Sequence, residues 1–171
     1  MILIRPETAE DLTAIYRLNS LAFGGESEAR LVDELRKSPS YSEELSLVAV
    51  ADGKVIGHIL FSLISIETQT GAVPALALAP MAVHPDWQRQ GVGSELVRQG
   101  LARARNLGHK IVIVVGHPEY YPRFGFSSAR EKHIEAPFPV PDEAFLVAEL
   151  AEGALNGVTG IVKYPPAFGA V

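Results

Sequence analysis

The sequence predicts an α/β (α+β) fold in which helices pack against a mixed sheet of parallel and antiparallel strands. Apolar residues 45–50 and 54–67 flank an Asp52-Gly53 pair, which is the pattern of two antiparallel strands joined by a tight turn. Further along, an apolar run, a helical segment and a second apolar run follow one another, as in a parallel βαβ unit. The predicted element order is β-α-α-β-β-β-α-β-short α-β-β.

The N-terminal part reads as one strand and two helices. Residues 2–5 form a short apolar strand that a proline closes. Thr8 is a suitable N-cap with Asp11 three residues later, so a first helix is predicted through the helically spaced apolar residues of 12–23. A Gly-Gly pair ends that helix, and Ser27 can cap a second one.

Three further elements follow the strand pair. Residues 69–74 are predicted to be a loop, and residues 75–83 a strand that Pro80 interrupts. Residues 92–104 have one apolar and one polar face at helical spacing. Residues 111–115, IVIVV, are apolar on both faces, as in a central strand.

The chain is predicted to be a single domain over residues 1–171, since no linker, repeat or low-complexity tract divides it. Residues 1–126 hold the motifs discussed below, and residues 127–171 hold a proline-rich loop and the last strands. Those strands are predicted at residues 145–150 and 158–164.

Composition narrows the class of protein. The absence of cysteine excludes a disulfide framework, thiolate zinc sites and a cysteine nucleophile, and it fits a cytoplasmic location. We expect no signal peptide, no membrane span, since no apolar run approaches about 20 residues, and no metal. A net charge of −5 argues against nucleic-acid binding. Residues 84–130 alone carry +4 and the rest −9, which suits an anion site in the middle segment.

Two glycines at the start of the third helix, Gly91 and Gly93, predict where that anion binds. Glycine within a helix costs roughly 0.8–1 kcal/mol relative to alanine, so its presence needs a reason. A helix N-terminus offers backbone N–H groups and a partial positive charge, and glycines let a phosphate approach. The segment is neither a dinucleotide fingerprint, since Leu96 replaces the third glycine, nor a P-loop. The alternative is a capped helix with a glycine pair that binds nothing.

Two segments of the sequence resemble the GCN5-related N-acetyltransferase (GNAT) superfamily: MAVHPDWQRQGVGSELV at 81–97 and YYPRFGF at 120–126. Beyond Phe126 the chain most resembles a subgroup of predicted N-acetyltransferases of unknown substrate. The resemblance implies a mostly antiparallel central sheet, splayed between strands 4 and 5, with helices on both faces. It also implies acetyl-coenzyme A as cosubstrate, with no metal. The implied coenzyme-binding residues are Met81, Ala82, Val83, Gln88, Arg89, Gln90, Gly91, Val92, Gly93 and Ser94.

The resemblance implies that an acetyl group moves to a primary amine by direct attack in a ternary complex. Tyr121 matches the family's tyrosine and is the candidate general acid, because a phenol with a pKa near 10 still holds its proton at neutral pH. Tyr120 beside it is expected to pack. A backbone N–H near Ala82–Val83 is the natural donor to the thioester carbonyl oxygen.

The general base is not identified by the pattern. Some members of the family carry a glutamate where this chain has Ala77. His117, Glu67 and His84 are possible bases, and water is another.

Acidic residues of the first two helices could favour a cationic amine, and Glu26 is the preferred substrate contact among Glu26, Glu28, Asp33 and Glu34. His117 is a second candidate for the substrate site. Arg89, Arg98 and Arg123 could meet the phosphates of the coenzyme.

The sequence therefore predicts an acetyl-coenzyme A-dependent N-acetyltransferase of the cytoplasm, acting on a small-molecule or peptide amine. We expect no nucleic-acid or membrane partner, and the apolar C-terminal strands allow a homodimer. A first alternative is a non-catalytic acyl-coenzyme A sensor or regulatory module. A second is an unrelated nucleotide-phosphate binder.

Overall fold

The computed structural model describes residues 1–170, with only the backbone described at residue 170. The chain divides into two compact units. The first comprises Met1–Ser62, Ala79–Arg103 and the C-terminal segment from Pro166, and the second comprises Leu63–Leu78 and Ala104–Pro165. The predicted α/β class is confirmed, while a single domain over residues 1–171 stays a prediction.

Strands of both directions form the sheet, and most neighbouring strands are antiparallel. In the order of the chain the strands are β1 (Ile2–Pro6), β2 (Ser46–Ala51), β3 (Lys54–Thr68), β4 (Gly71–Val83), β5 (Ile111–Val115), β6 (Ser127–Ser128), β7 (Ile134–Glu135), β8 (Phe145–Glu149) and β9 (Gly160–Lys163). The helices are α1 (Leu12–Phe23), α2 (Ser27–Arg36) and α3 (Val92–Asn106).

The predicted β2–β3 hairpin is confirmed. β2 pairs antiparallel with β1 on one side and with β3 on the other. Asp52 (φ 51°) and Gly53 (φ 74°) both lie in the left-handed region, which a tight two-residue hairpin turn requires. The short-range sequence signal thus gave the correct turn and the correct strand pair.

Helices cover both faces of the sheet in the first unit. Side chains alternate along β3, so Leu60 faces one side and Phe61 the other. Leu60 joins a buried cluster with Ile15 of α1 and Val32 of α2. On the opposite face, the ring of Phe61 lies against Gly100 of α3. This arrangement confirms the expected layering.

The start of each N-terminal helix differs slightly from the prediction. Thr8 and Asp11 do form the predicted local contact, with the Thr8 N–H donating to Asp11 Oδ2 at 2.7 Å. That contact caps a 3-10 turn, Ala9–Asp11, and α1 begins only after it. Ser27 is the first residue of α2 rather than its cap, and Glu26 takes the cap position.

The predicted loop at residues 69–74 is too long. β4 begins at Gly71, because Thr68 closes a shorter turn: its Oγ1 accepts the Thr70 N–H at 3.2 Å and donates to the Gly71 carbonyl at 2.6 Å. The predicted short helix after β5 is a 3-10 turn, Tyr121–Phe124. β6 and β7 were not predicted, because strands of two residues leave no periodic pattern.

The parallel contact of β4 with β5 is short, as a splayed pair of strands requires. Within residues 1–170 their ladder consists of Leu76 opposite Val112 and Ala77 opposite Ile113, after which β4 runs on to Val83. Pro80, which has no N–H to donate, lies in this last part of β4. No helix among the described residues is both long and apolar enough to cross a membrane.

Candidate active site

The predicted anion site lies on the loop between β4 and α3, and the entry to this loop is tied to β3. His84, which follows β4, donates its backbone N–H to the Ile56 carbonyl at 2.8 Å. Pro85–Trp87 then form a 3-10 turn, in which the Asp86 N–H donates to His84 Nδ1 at 3.1 Å. Because Nδ1 accepts this bond, a neutral His84 ring carries its proton on Nε2.

The two glutamines of this loop support its backbone. Gln88 Nε2 donates to the Val83 carbonyl at 3.2 Å, and Gln90 Nε2 donates to the Asp86 carbonyl at 3.1 Å. The family resemblance implies that both bind the coenzyme. A side-chain amide has two N–H groups, so each bond uses half of that donor capacity. Their observed bonds hold the shape of the loop.

The backbone of the loop turns through the left-handed region twice. Arg89 has φ 63° and Gly91 has φ 86°. Such a conformation costs a residue with a side chain roughly 1–2 kcal/mol, and it costs glycine almost nothing. Among the described residues, nothing beyond the chain neighbours would lie within 4 Å of a Cβ at Gly91. Gly91 is therefore required by the backbone conformation rather than by packing.

The first turn of α3 presents backbone donors beside Gly91. The Glu95 N–H donates to the Gly91 carbonyl at 3.1 Å, which closes that turn. The N–H groups of residues 92 and 93 precede this bond, in the part of a helix where N–H groups have no intrahelical acceptor. The aligned peptide dipoles add roughly half a positive charge at this end of the helix. This local geometry suits a phosphate.

A bulge in β3 seats the first turn of α3. Gly57 lies opposite Ala49, but the next pair is Val55 opposite Val50, so Ile56 is an extra residue in β3. A Cβ on Gly57 would lie 2.9 Å from Leu96 Cδ1 and 3.1 Å from Val92 Cγ1, both on buried side chains. The bare backbone at Gly57 therefore lets this end of α3 pack directly on the sheet. Gly57 is not among the site residues predicted from the sequence.

Tyr121 is buried within the second unit, with only 7% of its surface exposed. Its ring makes edge-on contacts with Tyr120, at 5.0 Å between centroids, and with Phe126, at 5.6 Å. Burial raises the pKa of the Tyr121 phenol to about 12, with a smaller contribution from Tyr120. Gly125, at φ 96°, ends the turn in a left-handed conformation and directs the chain to the buried Phe126.

Glu26, the preferred substrate contact, already has two local partners. Its Oε1 accepts the Tyr16 hydroxyl at 2.8 Å, and its Oε2 accepts Arg30 Nη2 at 3.1 Å. The hydrogen bond to Glu26 raises the pKa of the Tyr16 phenol. A cationic group that reached Glu26 would have to share its oxygens with these partners.

The other candidate bases, His117 and Glu67, lie in the second unit. His117 is exposed, and its carbonyl accepts the backbone N–H groups of residues 120 and 121. Glu67 Oε1 lies 3.9 Å from Lys163 Nζ. Ala77, which replaces the family's glutamate, is buried within β4. Glu26 and residues 81–94 belong to the first unit, whereas His117 and Tyr121 belong to the second.

Two of the three candidate phosphate-binding arginines, Arg98 and Arg123, contact residues that are close to them in the sequence. Arg98 Nη1 donates to Glu95 Oε1 at 3.0 Å on the surface of α3. Arg123 lies over the Tyr120 ring at 4.6 Å and donates Nε to the Tyr120 carbonyl at 3.2 Å. Arg89 is part of the loop itself, and it is the arginine within the matched motif.

A buried polar network in the first unit was not predicted. Asn19 Nδ2 donates to His58 Nδ1 at 3.2 Å, so the His58 ring has its proton on Nε2, which lies 3.0 Å from Ser46 Oγ. The Ser46 hydroxyl in turn donates to Glu7, and Arg36 binds both Glu7 oxygens at 3.0 Å. The one sequence signal was a lone histidine within the apolar run of β3.

Burial decides the charge of that histidine. His58 has no exposed surface, and burial lowers its pKa to about 4. The charge of Glu7 opposes this shift, while the charge of Arg36 adds to it. The network is therefore a neutral histidine beside a carboxylate that an arginine neutralises. Within the described part of the chain, no three His, Asp or Glu side chains come together as metal ligands.

Comparison with known proteins points to a single family. Residues 3–129 match the profile of the family described as acetyltransferase (GNAT) domain. The chain is 37% identical over 168 residues to the uncharacterized N-acetyltransferase YhbS of Escherichia coli strain K12, covering 98% of both chains. It is 40% identical over 134 residues to the uncharacterized N-acetyltransferase YjhQ of that strain, covering 78% of this chain and 74% of YjhQ.

Two solved structures have the same fold over nearly the whole chain. The GNAT family N-acetyltransferase YhbS from Escherichia coli, in complex with CoA, has a TM-score of 0.91 at 37% identity and covers 98% of this chain and 92% of its own. A GNAT family acetyltransferase from Brucella melitensis, in complex with acetyl-CoA, has a TM-score of 0.81 at 31% identity and covers 98% of both chains.

Proposed function

This chain belongs to the GNAT family of N-acetyltransferases, and we propose that it moves the acetyl group of acetyl-coenzyme A to a primary amine by direct attack in a ternary complex. One observation carries the proposal: Gly91 adopts a left-handed conformation beside the first turn of α3. Backbone N–H groups and the helix dipole favour a pyrophosphate there. Two similar proteins have crystal structures in complex with CoA or acetyl-CoA.

Residues 88–94 hold the phosphates in this proposal, and residues 81–83 hold the arm that carries the thioester. Support comes from the course of β4, which among the described residues pairs with β5 at Leu76 and Ala77 and then continues to Val83. A strand that leaves its neighbour has backbone groups available for pairing with an extended ligand. Met81 and Val83, on either side of the buried Ala82, are partly exposed and form the accessible part of this stretch.

Acetyl-coenzyme A supplies an activated acyl group as a thioester. The amine nitrogen forms a bond to the carbonyl carbon, the carbon–sulfur bond breaks, and the sulfur leaves with the electron pair of that bond. An N–H near Ala82–Val83 donates to the carbonyl oxygen as negative charge develops on it. Tyr121 gives its proton to the departing sulfur, the attacking nitrogen releases one proton to water, and Tyr121 regains a proton from water, so the products are an amide and a thiol.

Tyr121 suits this role because its proton stays in place at neutral pH. Burial raises the pKa of the phenol to about 12, so the hydroxyl keeps its proton at the near-neutral pH of an activity assay. The nucleophile is the neutral fraction of the amine, and we assign no general base. Positioning of the amine against the carbonyl accounts for much of the rate, since orientation alone can supply several kcal/mol.

The acceptor is a small-molecule or peptide amine in this proposal, with Glu26 and His117 as its contacts. The Glu26 carboxylate already accepts from Tyr16 and Arg30, and a cationic amine would share its oxygens with them. His117 is exposed at the start of the turn that leads to Tyr121. A homodimer and a cytoplasmic location stay predictions.

The proposal is tested by measuring free thiol as acetyl-coenzyme A reacts with a panel of polyamines, aminoglycosides, amino acids and peptides. The chain has no cysteine, so thiol reports the coenzyme product alone. We expect amine-dependent thiol release, with the acetylated amine detected by mass spectrometry. The same mixture without amine measures the background hydrolysis of the thioester.

Initial rates test the order of events. Direct attack requires both substrates to be bound together, so plots of reciprocal rate at several amine concentrations should intersect. Parallel lines would indicate a covalent acetyl-enzyme and contradict direct attack. Tight coenzyme binding without thiol release for any amine would instead favour a non-catalytic acyl-coenzyme A module.

A further inference from the structure

Gly116 lies directly after β5, at a position where the backbone does not require glycine. Its φ is outside the left-handed region, so the backbone conformation is open to alanine. Its N–H donates to the Ala144 carbonyl at 2.9 Å, a bond that alanine would keep. The reason for glycine here must come from what surrounds the missing side chain.

The atoms nearest to the missing side chain of Gly116 belong to one ring. A Cβ built on Gly116 would lie 2.3 Å from Cε2, 2.8 Å from Cδ2 and 3.3 Å from Cζ of Tyr121, and these are its three nearest atoms. Two carbon atoms in favourable contact are about 3.5–4.0 Å apart. A methyl group at this position therefore has to displace the ring by more than 1 Å, and the hydroxyl on Cζ moves with it.

The Tyr121 ring has little room for such a displacement. Phe126 and Tyr120 contact it edge-on, and the residue is buried. Its backbone N–H donates to the His117 carbonyl at 3.3 Å, which fixes the start of the side chain. The ring thus rests against the bare Cα of Gly116. Displacing it would break its contacts with Tyr120 and Phe126.

We propose that Gly116 is a positioning residue for Tyr121: by having no side chain, it fixes where the phenol hydroxyl lies. The inference rests on the proposed role of Tyr121 as the acid that protonates the leaving sulfur. Gly116 itself contacts neither substrate. Its effect on the reaction passes through the ring that it supports.

The test is Gly116→Ala, measured for turnover, for the KM of acetyl-coenzyme A and for the Tyr121–Phe126 ring contact in NMR spectra. We expect turnover to fall roughly tenfold or more, the range of a general acid, with KM changed less than about twofold. The NMR contact should be lost. In a Tyr121→Phe background, where no hydroxyl remains to be placed, Gly116→Ala should lower turnover less than about twofold further.

Gly100→Ala is the matched control. A Cβ there would also lie 2.3 Å from a ring atom, Cε1 of Phe61, but that ring is part of the core. This variant should lose stability and keep its turnover. If Gly116→Ala fails to fold, adding Tyr121→Leu removes the ring and should restore folding; failure to restore it would overturn the proposed contact.

Two results separate this inference from the proposed function. If Tyr121→Phe lowers turnover and a folded Gly116→Ala does not, the positioning role is wrong and the role of Tyr121 stands. If Tyr121→Phe leaves turnover unchanged, the assignment of Tyr121 is wrong, and the positioning role is overturned with it.

Discussion

At the scale of single residues, environment rather than residue type decides what each candidate can do. Tyr120 and Tyr121 are adjacent and chemically identical, but Tyr120 is half-buried whereas Tyr121 is buried, and burial raises the pKa of Tyr121 to about 12. The motif favours Tyr121 over Tyr120 as the general acid, which stays a prediction. It could not predict Gly116 beneath that ring, because the contact depends on how β5 and the following turn meet in space.

Tyr121→Phe removes the hydroxyl and keeps the ring. We expect turnover to fall roughly tenfold or more, because the departing sulfur loses its proton donor. Coenzyme affinity, measured by calorimetry, should change little. Tyr120→Phe is the matched control and should keep turnover near the wild-type value. Equal turnover in Tyr121→Phe and wild type would assign Tyr121 to packing.

At the scale of elements, hairpins and amphipathic helices were predictable, and close approaches between elements were not. Asp52-Gly53 and the apolar faces of the helices are local patterns, so they appear in the sequence. The bulge at Ile56 depends on the register of two strands, and the contact of Gly57 with α3 depends on packing. A glycine within a strand was the only available hint.

Gly57→Val tests whether the seat of α3 matters for coenzyme binding. The added side chain would meet Leu96 and Val92 and push the first turn of α3 away from β3. We expect coenzyme affinity to fall about tenfold, or about 1.4 kcal/mol, in a calorimetric titration. Gly100→Ala, further along the same helix, should keep its affinity. Unchanged affinity in a folded Gly57→Val would show that the loop is positioned without this contact.

At the scale of the whole molecule, the buried network makes stability depend on pH. The unfolded chain has a histidine pKa near 6.5, and burial lowers the pKa of His58 to about 4. Between these values the unfolded state binds more protons, so the free energy of unfolding falls as pH falls. Full titration would remove about 3 kcal/mol. Glu7, Arg36, Ser46 and Asn19 face this histidine.

His58→Gln checks this pH dependence through chemical denaturation at a series of pH values from 4 to 6.5. The variant has no titrating ring, so its free energy of unfolding should vary less steeply with pH than that of the wild type. His117→Gln, which removes an exposed histidine outside this network, is the matched control. Parallel curves for His58→Gln and wild type would show that another group controls the loss of stability in acid.

The most direct test of the account is a calorimetric titration of wild type, Gly91→Glu and Gly108→Glu with coenzyme A. Both glycines are left-handed, with nothing within 4 Å of a built Cβ among the described residues, but Gly91 precedes α3 whereas Gly108 follows it. We expect micromolar binding by wild type and Gly108→Glu, and none by Gly91→Glu. Equal affinity in all three proteins would contradict the phosphate site at the start of α3.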